Sequence, residues 1–261
     1  MSKNNVDEVS NSLVLANEDR HSLAWQPFKA MLNDESDGYS VQELVYNALN
    51  GENNKVAAYK VSLTSEKSQK GYNYNQPIFG KLSANQLVLS GGTVVLNEQF
   101  KPFLEVEVAF KVNDTLLPGD DLTTLLSKVD ALPAFELPDS RFRDWFRKLS
   151  KELFMADDAM ANLLVVGKSV ATTDLNPLDL ADVTMELEHD GNALGQSKSS
   201  SVLGNPLNSL KWLVEKLDNS GNCLTKGQFV TTGTSKTVDL AKGSWRANFS
   251  KGLGFVTLNV K

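Results

Sequence analysis

Cysteine and histidine are almost missing from this chain: its 261 residues include one cysteine, Cys223, and two histidines, His21 and His189. A single thiol cannot close an intrachain disulfide, and it rules out a thiolate metal cluster. The histidines are far apart and neither sits in a motif, so a zinc site or a Ser-His-Asp triad has little to stand on. Excess positive charge is also lacking, since 26 basic residues face 32 acidic ones for a net charge of −6. That balance argues against non-specific attachment to nucleic acid or to an anionic membrane. No window reaches the roughly 18 consecutive apolar residues of a spanning helix, and the start Met1-Ser-Lys-Asn-Asn-Val-Asp-Glu8 is unlike a secretory signal. P-loop, dinucleotide and zinc spacings are missing too, as are internal repeats. These absences lead us to expect a cytoplasmic protein with no nucleic-acid or membrane partner.

What is there is a normal globular composition, 41% hydrophobic and 22% charged, in a length that suits one substantial core. The stretch Lys101-Pro-Phe-Leu-Glu-Val-Glu-Val-Ala-Phe110 organises the reading. Leu104, Val106, Val108 and Phe110 alternate with Glu105, Glu107 and Ala109, the period of a half-buried strand. Residues two apart on a strand leave the same face, so both glutamates can reach one divalent cation. Taken alone, such a pair describes the wet face of an antiparallel sheet at least as well.

The flanking chain reads as mixed. Helices are expected over Val6–Asn17, over Ser40–Asn50 with Ser40 as N-cap and Gly51 as stop, from Asp120 or Asp121 through Val129, over Trp145–Met155 and over Asn205–Leu217. Strands are expected over Val56–Leu63, Val94–Leu96, Leu163–Val166, Val183–Glu188, Leu224–Thr231, Ser244–Phe249 and Phe255–Val260, and Ala131–Arg141 reads as a short strand ending in a polar turn. Turns are marked by Trp25-Gln-Pro27, Asp37-Gly38, Gln76-Pro-Ile-Phe-Gly80 and Gly233, and Asp190-Gly191 is a hairpin signal. The pattern fits an α+β fold: a helical N-terminal cap over residues 1–52 and a β-rich unit over 53–261.

Three glutamates on two expected strands, Glu105, Glu107 and Glu136, make a hard oxygen-donor set that suits Mg²⁺ or Mn²⁺. Lys60 lies on a third strand among apolar neighbours, where a lysine is ordinarily an edge residue. The order and spacing of several motifs then resemble the 2-keto-4-pentenoate hydratase and 4-oxalocrotonate decarboxylase family of the fumarylacetoacetate hydrolase superfamily. These motifs are Asp37-Gly-Tyr-Ser-Val-Gln42, Tyr59-Lys-Val-Ser-Leu-Thr-Ser65, Gln76-Pro-Ile-Phe-Gly80, Glu105-Val-Glu-Val-Ala109, Phe135-Glu-Leu-Pro-Asp-Ser-Arg141, Val202-Leu-Gly-Asn-Pro-Leu-Asn208 and Gly252-Leu-Gly254. The resemblance implies a mixed β-roll, barrel-like core, a homo-oligomer, and a metal held by Glu105, Glu107 and Glu136. It also implies Lys60 as the active-site lysine and Ile78, Ser140 and Thr232 at the substrate.

The implied activity is a metal-dependent lyase from aromatic breakdown. A 2-oxo acid would chelate Mg²⁺, whose charge would stabilise a dienolate; protonation of that dienolate and conjugate addition of water give the hydrated product. The main expectation is hydration of a 2-oxo-alkenoate of the 2-hydroxypenta-2,4-dienoate kind; the rival is decarboxylation of a 2-oxo-enedioate. The rival arises at Ile78, where hydratases of the family resemble Gln-Pro-Asp-Phe-Gly and the decarboxylase branch carries Ile. Ser62, Asp158 and the serine-rich stretch Gln196–Ser201 also depart from the pattern, which leaves a third expectation, a catalytically reduced oxo-acid-binding or structural relative.

Overall fold

The computed structural model describes residues 2–51, 55–146 and 148–261. The expected cap boundary at 52/53 lies outside the described residues. The chain opens with α1 (Ser2–Glu18) and α2 (Glu35–Asn50) and continues through β1 (Ala58–Ser62), α3 (Glu66–Gly71), β2 (Ile78–Leu82), β3 (Leu87–Leu89) and β4 (Thr93–Val94). The central part is β5 (Phe103–Val112), α4 (Leu122–Ser127), β6 (Val129–Leu137), α5 (Lys151–Ala156), β7 (Leu163–Val166) and β8 (Val170–Ala171). The last third is α6 (Pro177–Ala181), β9 (Thr184–His189), β10 (Asn192–Lys198), α7 (Pro206–Asp218), β11 (Phe229–Thr231), β12 (Lys236–Asp239), β13 (Gly243–Phe249) and β14 (Gly254–Val260).

A nine-stranded mixed sheet runs β2-β1-β11-β5-β6-β7-β3, with β12 also on β5 and β8 also on β6. It is curled into a half-barrel. A five-stranded sheet runs β10-β9-β13-β14-β4. The even-numbered side chains of β5, Leu104, Val106, Val108 and Phe110, enter a core shared with Phe135, Leu187, Trp245, Val256 and the apolar face of α7. Strand alternation therefore turns Glu105, Glu107 and Ala109 to the other face. Across that face the register aligns Glu105 with Glu136, Ala109 with Thr231, Thr231 with Lys60 and Thr237 with Glu105. One face of the large sheet thus collects Lys60, Glu105, Glu107 and Glu136.

A second apolar cluster closes over that face. Val9 and Leu13 of α1 and Val41 and Val45 of α2 pack with Leu63, Ile78, Phe142, Trp145, Leu153, Phe154 and Met160. The helical layer is therefore built from both ends of the first 160 residues. Among the described residues no helix is long and apolar enough to cross a membrane.

Several expected elements are corrected. Helix α2 starts at Glu35, because Asp34 accepts from Asp37 N and serves as the cap; Ser40 and the expected Asp37-Gly38 turn lie inside the helix. The expected turn at Gln76–Gly80 gives way to β2, which is buried on both faces at Ile78, Phe79 and Gly80 and so shows no alternation. Asp121 caps α4, which ends at Ser127; Val129 already begins β6. Where a helix was expected over Trp145–Met155, the described residues form α5 from Lys151 to Ala156, capped by Ser150. The preceding stretch is pinned to the N-terminal segment by Leu23 N to Arg141 O at 2.8 Å and Arg143 N to Leu23 O at 2.8 Å. The segment 224–228 precedes a shorter β11, and Leu96 belongs to a 3-10 turn after β4.

Candidate metal and substrate site

Glu105, Glu107 and Glu136 each offer a carboxylate oxygen, and these atoms lie within 4.8 Å of one another. Glu107 and Glu136 are almost wholly buried, and so is Lys60, which is paired with Glu136. Lys60 is not the edge residue that a strand lysine ordinarily is, because β1 is an interior strand between β2 and β11. Two contacts aim the β5 glutamates: Gly233 N donates to Glu107 Oε2 at 2.9 Å and Thr237 Oγ1 donates to Glu105 Oε1 at 2.8 Å. Gly233 has φ +109°, and a Cβ there would stand 2.0 Å from Thr64 Oγ1, so only glycine brings this amide to Glu107.

The electrostatics show a site short of positive charge. Burial pushes the Glu105 carboxyl up to about 7, Glu136 adding to the effect and Lys60 opposing it. Burial, then Glu136 and Glu105, holds Glu107 well above the usual carboxylate range. Burial also raises Glu136 against the pull of Lys60. For Lys60, burial disfavours the ammonium, but Glu136 and Glu105 outweigh it and the group stays above its ordinary value. Glu107 Oε1 and Glu136 Oε2 are buried without a hydrogen-bond donor, as is Thr231 Oγ1 on the same face. Buried carboxylate oxygens without donors are costly, and a divalent cation among three of them would satisfy them. The donor set is all oxygen and fits Mg²⁺ or Mn²⁺.

A cavity of about 350 Å³ opens onto these groups. Its wall combines Lys60, Glu105 and Glu107 with hydroxyls of Ser62, Thr64, Ser65, Thr234 and Thr237. Leu63, Trp145, Phe154 and Met160 supply an apolar side, and the exposed Lys67 of α3 adds a second cation with no partner among the described residues. Such a space can take a small acid with its charged end at the carboxylates and its carbon skeleton against the aromatics.

Ile78, Ser140 and Thr232 are not brought to this wall. Ile78 is fully buried behind it, packed in the cluster that contains Leu63, Trp145, Phe154 and Met160. Ser140 Oγ donates to Asp157 at 2.6 Å and Thr232 Oγ1 donates to Val108 O at 2.7 Å, so both hydroxyls are consumed in the scaffold. Sequence reasoning missed Thr237, Thr231, Trp145, Phe154 and Lys67. The Gly233 turn was the nearest signal to Thr237, whereas Trp145 comes from an irregular segment that read as a helix and Phe154 from α5, whose exposure to the cavity is not a local property.

No family model matches the chain. The 2-keto-4-pentenoate hydratase 2 of Dechloromonas aromatica is 32% identical over 86% of this chain and 85% of its own length. A 4-oxalocrotonate decarboxylase of Pseudomonas putida is 28% identical over 85% of this chain and 84% of its own. Among solved structures, the 4-oxalocrotonate decarboxylase from Pseudomonas putida G7, complexed with magnesium and adipate, superposes with a TM-score of 0.89 at 24% identity, covering 100% of this chain and 99% of that one. The fold is that of the fumarylacetoacetate hydrolase type. With carboxylates, lysine and cavity arranged in this way and lyases among its relatives along most of its length, the chain belongs to the 2-keto-4-pentenoate hydratase and 4-oxalocrotonate decarboxylase family.

Proposed function

We propose that this protein is a divalent-metal-dependent lyase that hydrates a 2-oxo-alkenoate of the 2-hydroxypenta-2,4-dienoate type. The observation that carries the reading is the convergence of Glu105, Glu107 and Glu136 with buried Lys60, with Lys60, Glu105 and Glu107 lining the cavity and Glu136 beside them. Glu105, Glu107 and Glu136 would hold Mg²⁺ or Mn²⁺, which when bound supplies positive charge to the oxygens of a 2-oxo acid. Lys60 remains an ammonium, so at Nζ it holds a proton and offers charge to the substrate oxygens. Gly233 and Thr237 fix the orientation of two ligands, and Trp145, Phe154 and Met160 exclude water from the carbon skeleton.

Decarboxylation of a 2-oxo-enedioate is the second reading, favoured by the unpartnered Lys67 on the cavity wall, which suits a further carboxylate. Ile78 acts behind the apolar side of the cavity and carries no acid-base chemistry. Incubation with Mg²⁺ and either 2-hydroxypenta-2,4-dienoate or 2-oxohex-3-enedioate separates the two. We expect turnover of the dienoate, abolished in Glu105→Gln/Glu107→Gln. Turnover of the dioate alone selects the decarboxylase, and turnover of neither, with oxalate still bound, leaves the catalytically reduced relative. The same reading makes the protein a cytoplasmic homo-oligomer, whose stoichiometry analytical ultracentrifugation measures.

A further inference from the structure

A second cavity, of about 560 Å³, shares Trp145 and Phe146 with the first. The partition is aromatic: Phe103, Trp145 and Phe146 contact one another with ring centroids 5.5, 5.2 and 5.6 Å apart. On the second side the wall carries Arg20, Lys101, Arg143 and Lys148 with His21, against one acid, Asp144. Four cations to one carboxylate is a strong local reversal in a chain whose net charge is −6. None of the four cationic side chains has an ion pair or hydrogen bond among the described residues, although the same protein pairs lysines at Lys81, Lys128, Lys198, Lys216 and Lys251.

These cations come from three chain segments, and the backbone locks the segments together. Leu23 exchanges hydrogen bonds with Arg141 and Arg143 at 2.8 Å each, which sets Arg20 and His21 beside Arg143. Asp139 accepts from Phe100 N at 2.7 Å and from Lys101 N at 2.9 Å, which ties the Lys101 segment to the same loop. Arg20 is itself held at φ 52° and Asp144 at φ 53°, in the left-handed region that costs free energy away from glycine. Like charges gathered in a concave, fixed frame without counter-ions raise the local potential and concentrate anions.

We propose that this second cavity is a binding site for a small polyvalent oxyanion, of the phosphate or dicarboxylate class, separate from the metal site and independent of which reaction that site performs. Arginine at 20 and 143 offers forked donors to paired oxygens, while Lys101 and Lys148 add point charges. The aromatic partition keeps the bound anion apart from the glutamates.

The test is calorimetric titration of the whole metal-free protein with inorganic phosphate and, separately, with succinate at low ionic strength. The expected result is one anion bound per chain, with affinity falling as sodium chloride is raised. Lys101→Glu/Arg143→Glu should weaken it at least about tenfold, and Glu107→Gln should leave it unchanged. Both altered cations are exposed; the single Lys148→Ala provides a milder variant, expected to weaken binding about threefold, if the double variant melts early. Preference for phosphate or for succinate identifies the source of the anion. Absence of binding for both, binding untouched by the charge variants, or binding lost in Glu107→Gln overturns the proposal.

Discussion

Glu107 is held by one backbone amide and otherwise faces other carboxylates, so its free oxygen defines what the site wants. We expect Mg²⁺ to raise the thermal unfolding midpoint of the parent protein and not that of Glu107→Gln, because only a ligand bound to the folded state stabilises it. Equal midpoint shifts in both would remove Glu107 from the ligand set. Asp158 gives a different kind of prediction. Burial pushes its carboxyl up to about 7 against the Lys81 amide and Arg141, while in the unfolded chain it titrates near its ordinary value of 3.8. The folded state therefore binds the extra proton between about pH 4 and pH 7, and stability falls as pH rises through that window, by up to about 1.4 kcal/mol per unit. Asp158→Asn keeps an acceptor for Lys81 N and carries no charge. Its stability relative to the parent, from urea midpoints, should improve by more than about 1 kcal/mol between pH 5 and pH 8. A constant difference would contradict this. Thr237 did not stand out in the sequence, and Asp158 stood out only as a departure from the family pattern, because burial and cross-strand partners are not local properties.

At the scale of elements, the turn after β11 does the most exacting work. Gly233→Ala places a methyl group onto Thr64 at a backbone angle that L-residues avoid, and should cost at least about 2 kcal/mol and depress kcat through loss of the Glu107 contact. Differential scanning calorimetry and steady-state rates check the two effects; a stable, fully active variant would refute both. The elements that were readable are those whose signals are local: the β5 alternation, the Asp190-Gly191 hairpin, and α7 with Asn205 accepting from Leu207 N at 3.0 Å and Pro206 in its first turn. The β2 strand was hidden because it is buried on both faces and preceded by Pro77, and the start of the stretch Trp145–Met155 read as helical although Trp145 lies outside α5, just after the backbone bonds of Arg141 and Arg143 to Leu23. Amphipathic spacing there reflects aromatics serving a partition between two cavities.

For the whole molecule, the helical layer and the curled sheet act as a lid and a floor. Leu13 of α1 is fully buried in the cluster that also contains Trp145, Phe154 and Met160 of the cavity wall. Leu13→Ala should cost about 2–5 kcal/mol in chemical unfolding, and a loss below about 1 kcal/mol would show that the layer is not packed as described. The mixed α+β class was legible from local patterns, whereas the grouping of the three glutamates with Lys60 came from the ordered motifs, because β1 and β6 are buried on both faces and show no alternation. How those strands neighbour one another was not legible, since β1 reaches β5 only through β11, which lies far along the chain.

The alignment of Glu105 with Glu136 across β5 and β6 carries a last consequence. A slip of one residue between these strands would send the carboxylates of one strand to the opposite face from those of the other. Cation affinity is then a readout of strand alignment itself. On the proposed metal site, a refolding chain should acquire the ability to bind Mg²⁺ only when β5 and β6 have locked in register, so that ion binding reports the correctness of the pairing.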